Sequence, residues 1–142
     1  MEVAVVGLGA VGMLIAHFLN AAGVRPKAVV KTPCSRYEFC AHGMCEALEV
    51  EPAERAAASG YAVVAVKAYD TEAALERAAG RLLVIQNGIG GVEAARARGF
   101  EAYAGVLTYG VYREGCRAEL RGEGRLYMPA ELADLAELLE RG

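Results

Sequence analysis

The sequence predicts an α/β domain built on a doubly wound, mainly parallel sheet with a strand-rich C-terminal portion. Three observations carry this. Short apolar runs alternate with segments of helical period, the pattern of successive β-α-β units. The runs VAVVG (3–7), YAVVAVK (61–67) and RLLVIQ (81–86) have apolar interiors, as strands do when both sheet faces are covered. From residue 102 the pattern changes to AYAGVLTYGVYREG and RAELRGEGRLYMP, which read as strands joined by glycine-containing turns.

Each element follows in order. After the first strand, VGMLIAHFLNAAG (11–23) carries Val11, Ile15, Phe18, Leu19 and Ala22 at helical spacing and ends on Gly23. KAVVK (27–31) is strand-like. Residues 33–58 are less regular, with a helix expected near 52–58 that Pro52 starts. Asp70 is expected to cap a helix over 71–80 that Gly80 stops. GVEAARARG (91–99) is a further helix, and residues 130–142 form an amphipathic one with Leu132, Leu135, Leu138 and Leu139 on one face. A chain of 142 residues is long enough for one domain with a real core.

Composition narrows the function. A net charge of −3 argues against non-specific nucleic-acid binding. The apolar runs fall far short of a membrane span, and the start MEVAVVG has an acid where a signal peptide has basic residues. A soluble, cytoplasmic protein is expected. Cys34, Cys40 and Cys45 cluster around His42 while Cys116 stands apart, without the paired spacings of a zinc site. Reduced, partly buried thiols are the expectation for such a chain. The abundance of Ala, Glu and Arg beside only three lysines suggests a thermophilic or high-GC source, which leaves a disulfide open.

The chemistry starts between the first strand and first helix, at GLGAVG (7–12). In this strand–turn–helix context the pattern is a dinucleotide-binding fingerprint of the Rossmann type. Gly7 permits the tight turn, Gly9 lets a pyrophosphate approach, and Gly12 allows close helix–sheet packing. Leu8, Ala10 and Val11 complete the loop, whose N–H groups face the anion. At the second strand's end an NAD site would carry an acid for the ribose 2′-hydroxyl. Here Lys31, Thr32, Ser35 and Arg36 stand instead, with no acid before Glu38. Cations and hydroxyls suit a 2′-phosphate, so the expected cofactor is NADP.

Lys67 follows a strand too apolar to hold a charge, so its ammonium emerges at the sheet's carboxyl edge. Asn87 leaves the next strand at the same edge, inside IQNGIGG (85–91). Both have plainer readings, a snorkelling surface lysine and ordinary Asn-Gly turn chemistry. With the glycine loop, however, they would line one crevice.

GLGAVG (7–12), VKAYDT (66–71), QNGIGGVE (86–93) and GVLTYGVYREG (105–115), in this order, resemble the N-terminal domain of the ketopantoate reductase (2-dehydropantoate 2-reductase) family. The resemblance covers essentially all of residues 1–142. It implies an NADPH-dependent reductase of pantothenate synthesis that passes hydride to the C2 carbonyl of a 2-keto acid. Gly7 to Gly12 would bind the pyrophosphate and Lys31 the 2′-phosphate. Lys67 and Asn87 would lie beside nicotinamide and substrate, with Thr108 and Val111 along the nicotinamide end. Members of that family are about twice as long, and their helical second domain supplies the lysine that protonates the alkoxide. None of Lys27, Lys31 and Lys67 stands in for it, so this chain alone is expected to be a poor enzyme. Association with a helical partner or with a second copy is expected, through apolar surface such as the leucine face of 130–141. The alternative is a non-catalytic NADP-binding or sensing module.

Overall fold

The computed structural model describes residues 2–57, 60–66, 70–85 and 90–140. The first half runs β1 (Val3–Val6), α1 (Ala10–Ala21), β2 (Lys27–Val29), β3 (Glu38–Ala41), β4 (Met44–Ala47), β5 (Glu51–Ala53) and β6 (Tyr61–Val64). The second half runs α2 (Thr71–Leu75), β7 (Arg81–Ile85), α3 (Gly91–Ala97), β8 (Glu101–Leu107), β9 (Gly110–Glu114), β10 (Arg117–Gly122), β11 (Leu126–Tyr127) and α4 (Ala133–Glu140). A short 3₁₀ turn over Ala130–Leu132 leads into α4.

The central sheet has the order β11-β8-β7-β6-β1-β2-β5. All neighbours are parallel except β11, which runs antiparallel to β8. Numbered by succession, the six parallel strands read 3-2-1-4-5-6, so the winding reverses between β1 and β6. Successive side chains point to opposite faces, and both faces are covered. Val3, Val5, Val63, Leu83 and Ile85 enter one core with α1 and α4. Ala4, Val6, Ala62, Val64, Leu82 and Val84 enter another with α2 and α3. That double burial explains why these strands are apolar throughout their interiors, with Arg81 at the amino end of β7 the charged exception.

Several expectations are corrected. Residues 51–53 form strand β5, not the start of a helix: Pro52 sits on the sheet's edge, where its missing N–H breaks no ladder. The region read as irregular contains the β3–β4 hairpin, turned by His42 and Gly43 with φ of 53° and 78°. Strands β9 and β10 leave the main sheet and join this hairpin in a second sheet, β4-β3-β10-β9. It packs against α1, where Phe39 and Ala118 are buried and His17 stacks on Phe39 at 4.5 Å. Burial there pushes the His17 imidazole below its ordinary pKa.

The leucine face of the last helix is not an open association surface either. Leu132, Leu135, Leu138 and Leu139 are buried in the domain's own core beside α1. A polar chain at the amino edge of the sheet pins this helix. The Tyr61 hydroxyl donates to Asp134 Oδ1 at 2.6 Å, and Arg81 donates to Tyr61 Oη at 2.9 Å, to Glu101 at 2.7 Å and to the Glu131 carbonyl at 2.6 Å.

All four cysteines are paired, against the expectation of reduced thiols: Cys34 with Cys116 and Cys40 with Cys45. Cys40 and Cys45 face each other across the β3–β4 hairpin, their Cα atoms 4.0 Å apart. Cys116 is 82 residues from Cys34 and is brought to it by the parallel β3–β10 pairing. Spacing along the chain carries no trace of that second adjacency. Among the described residues no helix is long and apolar enough to cross a membrane.

Candidate functional site

A cleft of about 280 Å³ opens at the carboxyl edge of the central sheet, over the reversal between β1 and β6. Its floor is Val6 to Gly9 with Val29 and Val30, and Lys31 and Thr32 form the rim at the end of β2. Asp70, Ala73, Ala74 and Arg77 close one wall, and Tyr37 and Arg113 also line it. Open parallel sheets bind ligands at this topological position.

The three glycines play distinct physical parts. Gly7 holds φ +94°, and a Cβ there would lie 2.5 Å from Val66 Cγ1. Its N–H donates to the Val29 carbonyl at 2.9 Å, tying the loop to β2. Gly12 is buried, and a Cβ on it would collide with the Gly7 carbonyl oxygen. Gly9 is different: nothing lies within 4 Å of the place its Cβ would occupy. The protein therefore has no packing reason to exclude a side chain at Gly9, whereas an incoming ligand would.

The loop is also prepared for an anion. Met13 N–H donates to the Gly9 carbonyl at 2.9 Å, so the amides of Ala10, Val11 and Gly12 precede the first helical donor and find no acceptor within the helix. α1 has no acid in its first turn, and the helix dipole favours negative charge there. Arg113 adds a cation from the second sheet. Its Nη1 donates to the Leu8 carbonyl at 2.8 Å and its Nε to the Gly115 carbonyl at 2.7 Å. Because a trans peptide sets C=O and N–H on opposite sides, holding Leu8 O fixes the direction of the Gly9 N–H. These residues fit the pyrophosphate of a dinucleotide.

The structure brings together Gly7, Leu8, Gly9, Lys31 and Thr32 in the cleft lining. Ala10, Val11 and Gly12 form the first turn of α1 just behind it. Arg36 is exposed on the loop after Thr32 and does not line the cleft, whereas its neighbour Tyr37 does. Thr108 stands at the end of β8, where its hydroxyl accepts the Arg125 N–H at 2.7 Å. Val111 lies in β9, packed toward the α1 core. Neither Thr108 nor Val111 is part of the cleft lining. Lys67 and Asn87 lie outside the described residues. The strand ends that precede them, Val64 and Ile85, do reach this edge.

Asp70 also departs from expectation. It occupies the N-cap position of α2, but its side chain makes no capping hydrogen bond. Instead its Oδ1 lies 3.5 Å from Lys31 Nζ. Sequence reasoning missed Asp70, Arg77, Tyr37 and Arg113 as cleft residues. The first two were legible on the expected helix over 71–80, where 70, 73, 74 and 77 share one face, although the observed helix ends at Leu75 and Arg77 lies in the turn after it. For Arg113 the sequence holds no signal, because only the second sheet's packing aims it at Leu8. The Cys34–Cys116 disulfide joins the loop carrying Thr32 and Tyr37 to the β9–β10 turn next to Arg113.

Known proteins are similar to this chain in sequence and in fold. The sequence model of the family described as "Ketopantoate reductase PanE/ApbA" matches residues 3–131. The 2-dehydropantoate 2-reductase of Pyrobaculum aerophilum is 50% identical over 138 residues, 97% of this chain and 50% of that protein. The crystal structure of 2-dehydropantoate 2-reductase from Geobacter metallireducens aligns with a TM-score of 0.86 at 16% identity, over 99% of this chain and 55% of that one. A D-mandelate dehydrogenase solved with NADH and anilino(oxo)acetate aligns with a TM-score of 0.85 at 18% identity, over 99% and 54%. At such identities the structural likeness speaks to the fold. The chain spans about half the length of these relatives.

Proposed function

This chain belongs to the ketopantoate reductase family, and from that premise we propose that it is the NADPH-binding half of a reductase acting on 2-dehydropantoate. One observation carries the reading: the open face of Gly9, under the free amides of α1, shares a cleft with Lys31 and Arg113. In this reading Gly7 to Gly12 hold the pyrophosphate, Arg113 steadies the loop, and Lys31 and Thr32 take the 2′-phosphate, with Arg36 nearby. Lys67 and Asn87 meet the nicotinamide and the keto acid at the sheet's edge, and Thr108 and Val111 border that end.

The cofactor supplies the hydride; the chain supplies position and charge. A proton must reach the substrate oxygen as its negative charge develops. That donor, and the wall that excludes water, belong in this reading to a helical half, as a further part of the protein or as a partner. The setting is cytoplasmic. A thermophilic source, suggested by the lysine-poor composition, is one in which intracellular disulfides are ordinary.

The test is a fluorescence titration of NADPH, with NADH in parallel, into the purified chain. Saturable binding that prefers NADPH is expected. Equal affinities would overturn the NADP assignment, and no binding of either would overturn the cofactor-domain reading altogether.

A further inference from the structure

We propose that Asp70 is a specificity-determining residue that limits this cleft's preference for a 2′-phosphorylated nucleotide. The inference rests on the cofactor reading above but adds a residue and a direction. Lys31 stands where a 2′-phosphate would be met, and its ammonium already has a partner: Asp70 Oδ1 at 3.5 Å. The carboxylate is not consumed by its own helix, since its side chain caps nothing. It is partly exposed, lines the cleft, and reaches Lys31 from the opposite wall.

A 2′-phosphate approaching Lys31 must either displace Asp70 or share the ammonium with it. In the first case Lys31 loses one anionic partner as it gains another. In the second, a phosphate of nearly two negative charges sits beside a carboxylate. Unit charges at such range repel appreciably even in water, and for a phosphate the loss amounts to about ten-fold in affinity. A ribose with a free 2′-hydroxyl suffers no such penalty, because a carboxylate can accept its hydrogen bond. Lys31 alone would make the cleft strongly NADP-selective, and Asp70 moderates that. Arg77, in the turn after α2, also lines the cleft and brings a further cation to it.

The experiment compares the wild type with Asp70→Asn, titrating NADPH and NADH into each and recording Tm alongside. Asparagine is as good an N-cap residue as aspartate, so Tm should hold. NADPH should tighten about ten-fold while NADH stays within about two-fold or weakens. An unchanged NADPH/NADH ratio, in a wild type that does bind NADPH, would overturn the proposal and leave the cofactor reading intact. So would equal tightening of both nucleotides, which would mark a general charge effect. A wild type that binds neither nucleotide would sink both readings together.

Discussion

Gly9 and Gly12 look alike in the sequence, yet alanine at each should have opposite consequences. At Gly12 a Cβ would meet the Gly7 carbonyl, a backbone atom that cannot rotate away. Overpacking of this kind costs about 1–3 kcal/mol. At Gly9 the backbone has φ −76° and ψ −164°, open to any residue, and the Cβ would meet nothing. Gly→Ala at a compatible position stabilises by about 0.4–1 kcal/mol through the unfolded chain. Gly9→Ala should therefore unfold at the same temperature or a few degrees higher. Its Cβ, however, would project into the space through which the phosphate approaches the loop. Loss of one charge-assisted hydrogen bond costs about 1.5–3 kcal/mol, or roughly 10- to 150-fold in Kd. Thermal unfolding and NADPH titration of both variants form the assay. A Gly9→Ala protein that binds NADPH like the wild type would refute the placement of the pyrophosphate. A Gly12→Ala protein with unchanged Tm would refute the packing argument.

Three further outcomes are expected. Replacing Cys34 and Cys116 by serine opens a loop with a sequence separation of 82, against 5 for Cys40–Cys45; on chain-entropy grounds the losses are about 4–5 and about 2 kcal/mol, readable as denaturant midpoints. Equal midpoints would show that loop closure is not the governing term. Leu135→Ala should cost about 2–5 kcal/mol, because this fully buried side chain belongs to the domain's own core; a loss below about 1 kcal/mol would return α4 to the role of an exposed surface helix. Glu101, held below its ordinary pKa by Tyr103 and Arg81, and Asp134, held low by Tyr61, both favour the folded state when ionised. Their stabilisation is complete above the ordinary carboxylate range, about pH 4–4.5, and is lost as pH falls through the lower folded values. An E101Q/D134N protein should accordingly show a flatter Tm-versus-pH curve between pH 5 and 3, and an unchanged slope would remove the network from the account.

The sequence by itself determined the parallel sheet and the glycine loop, because both are encoded in near neighbours. Strands buried on both faces must be apolar at consecutive positions, the tight turn before α1 must be glycine at Gly7, and the first turn of α1 must be glycine at Gly12 where it packs on that turn. The position of Lys31 at the second strand's end was legible for the same reason. The second sheet, the Cys34–Cys116 bond and the aim of Arg113 at Leu8 were not. Each joins segments more than 60 residues apart, and a periodicity read in a short window contains nothing of such pairings. The leucine face of α4 marks the boundary between the two kinds of knowledge. Its helical period was plain, but an apolar stripe says only that something must cover it, and tertiary packing decided that the cover is the domain's own α1. Lys31 carries the same lesson into the site: its charge was certain from the sequence, and its partner, Asp70, came from an element that only the fold brings across the cleft.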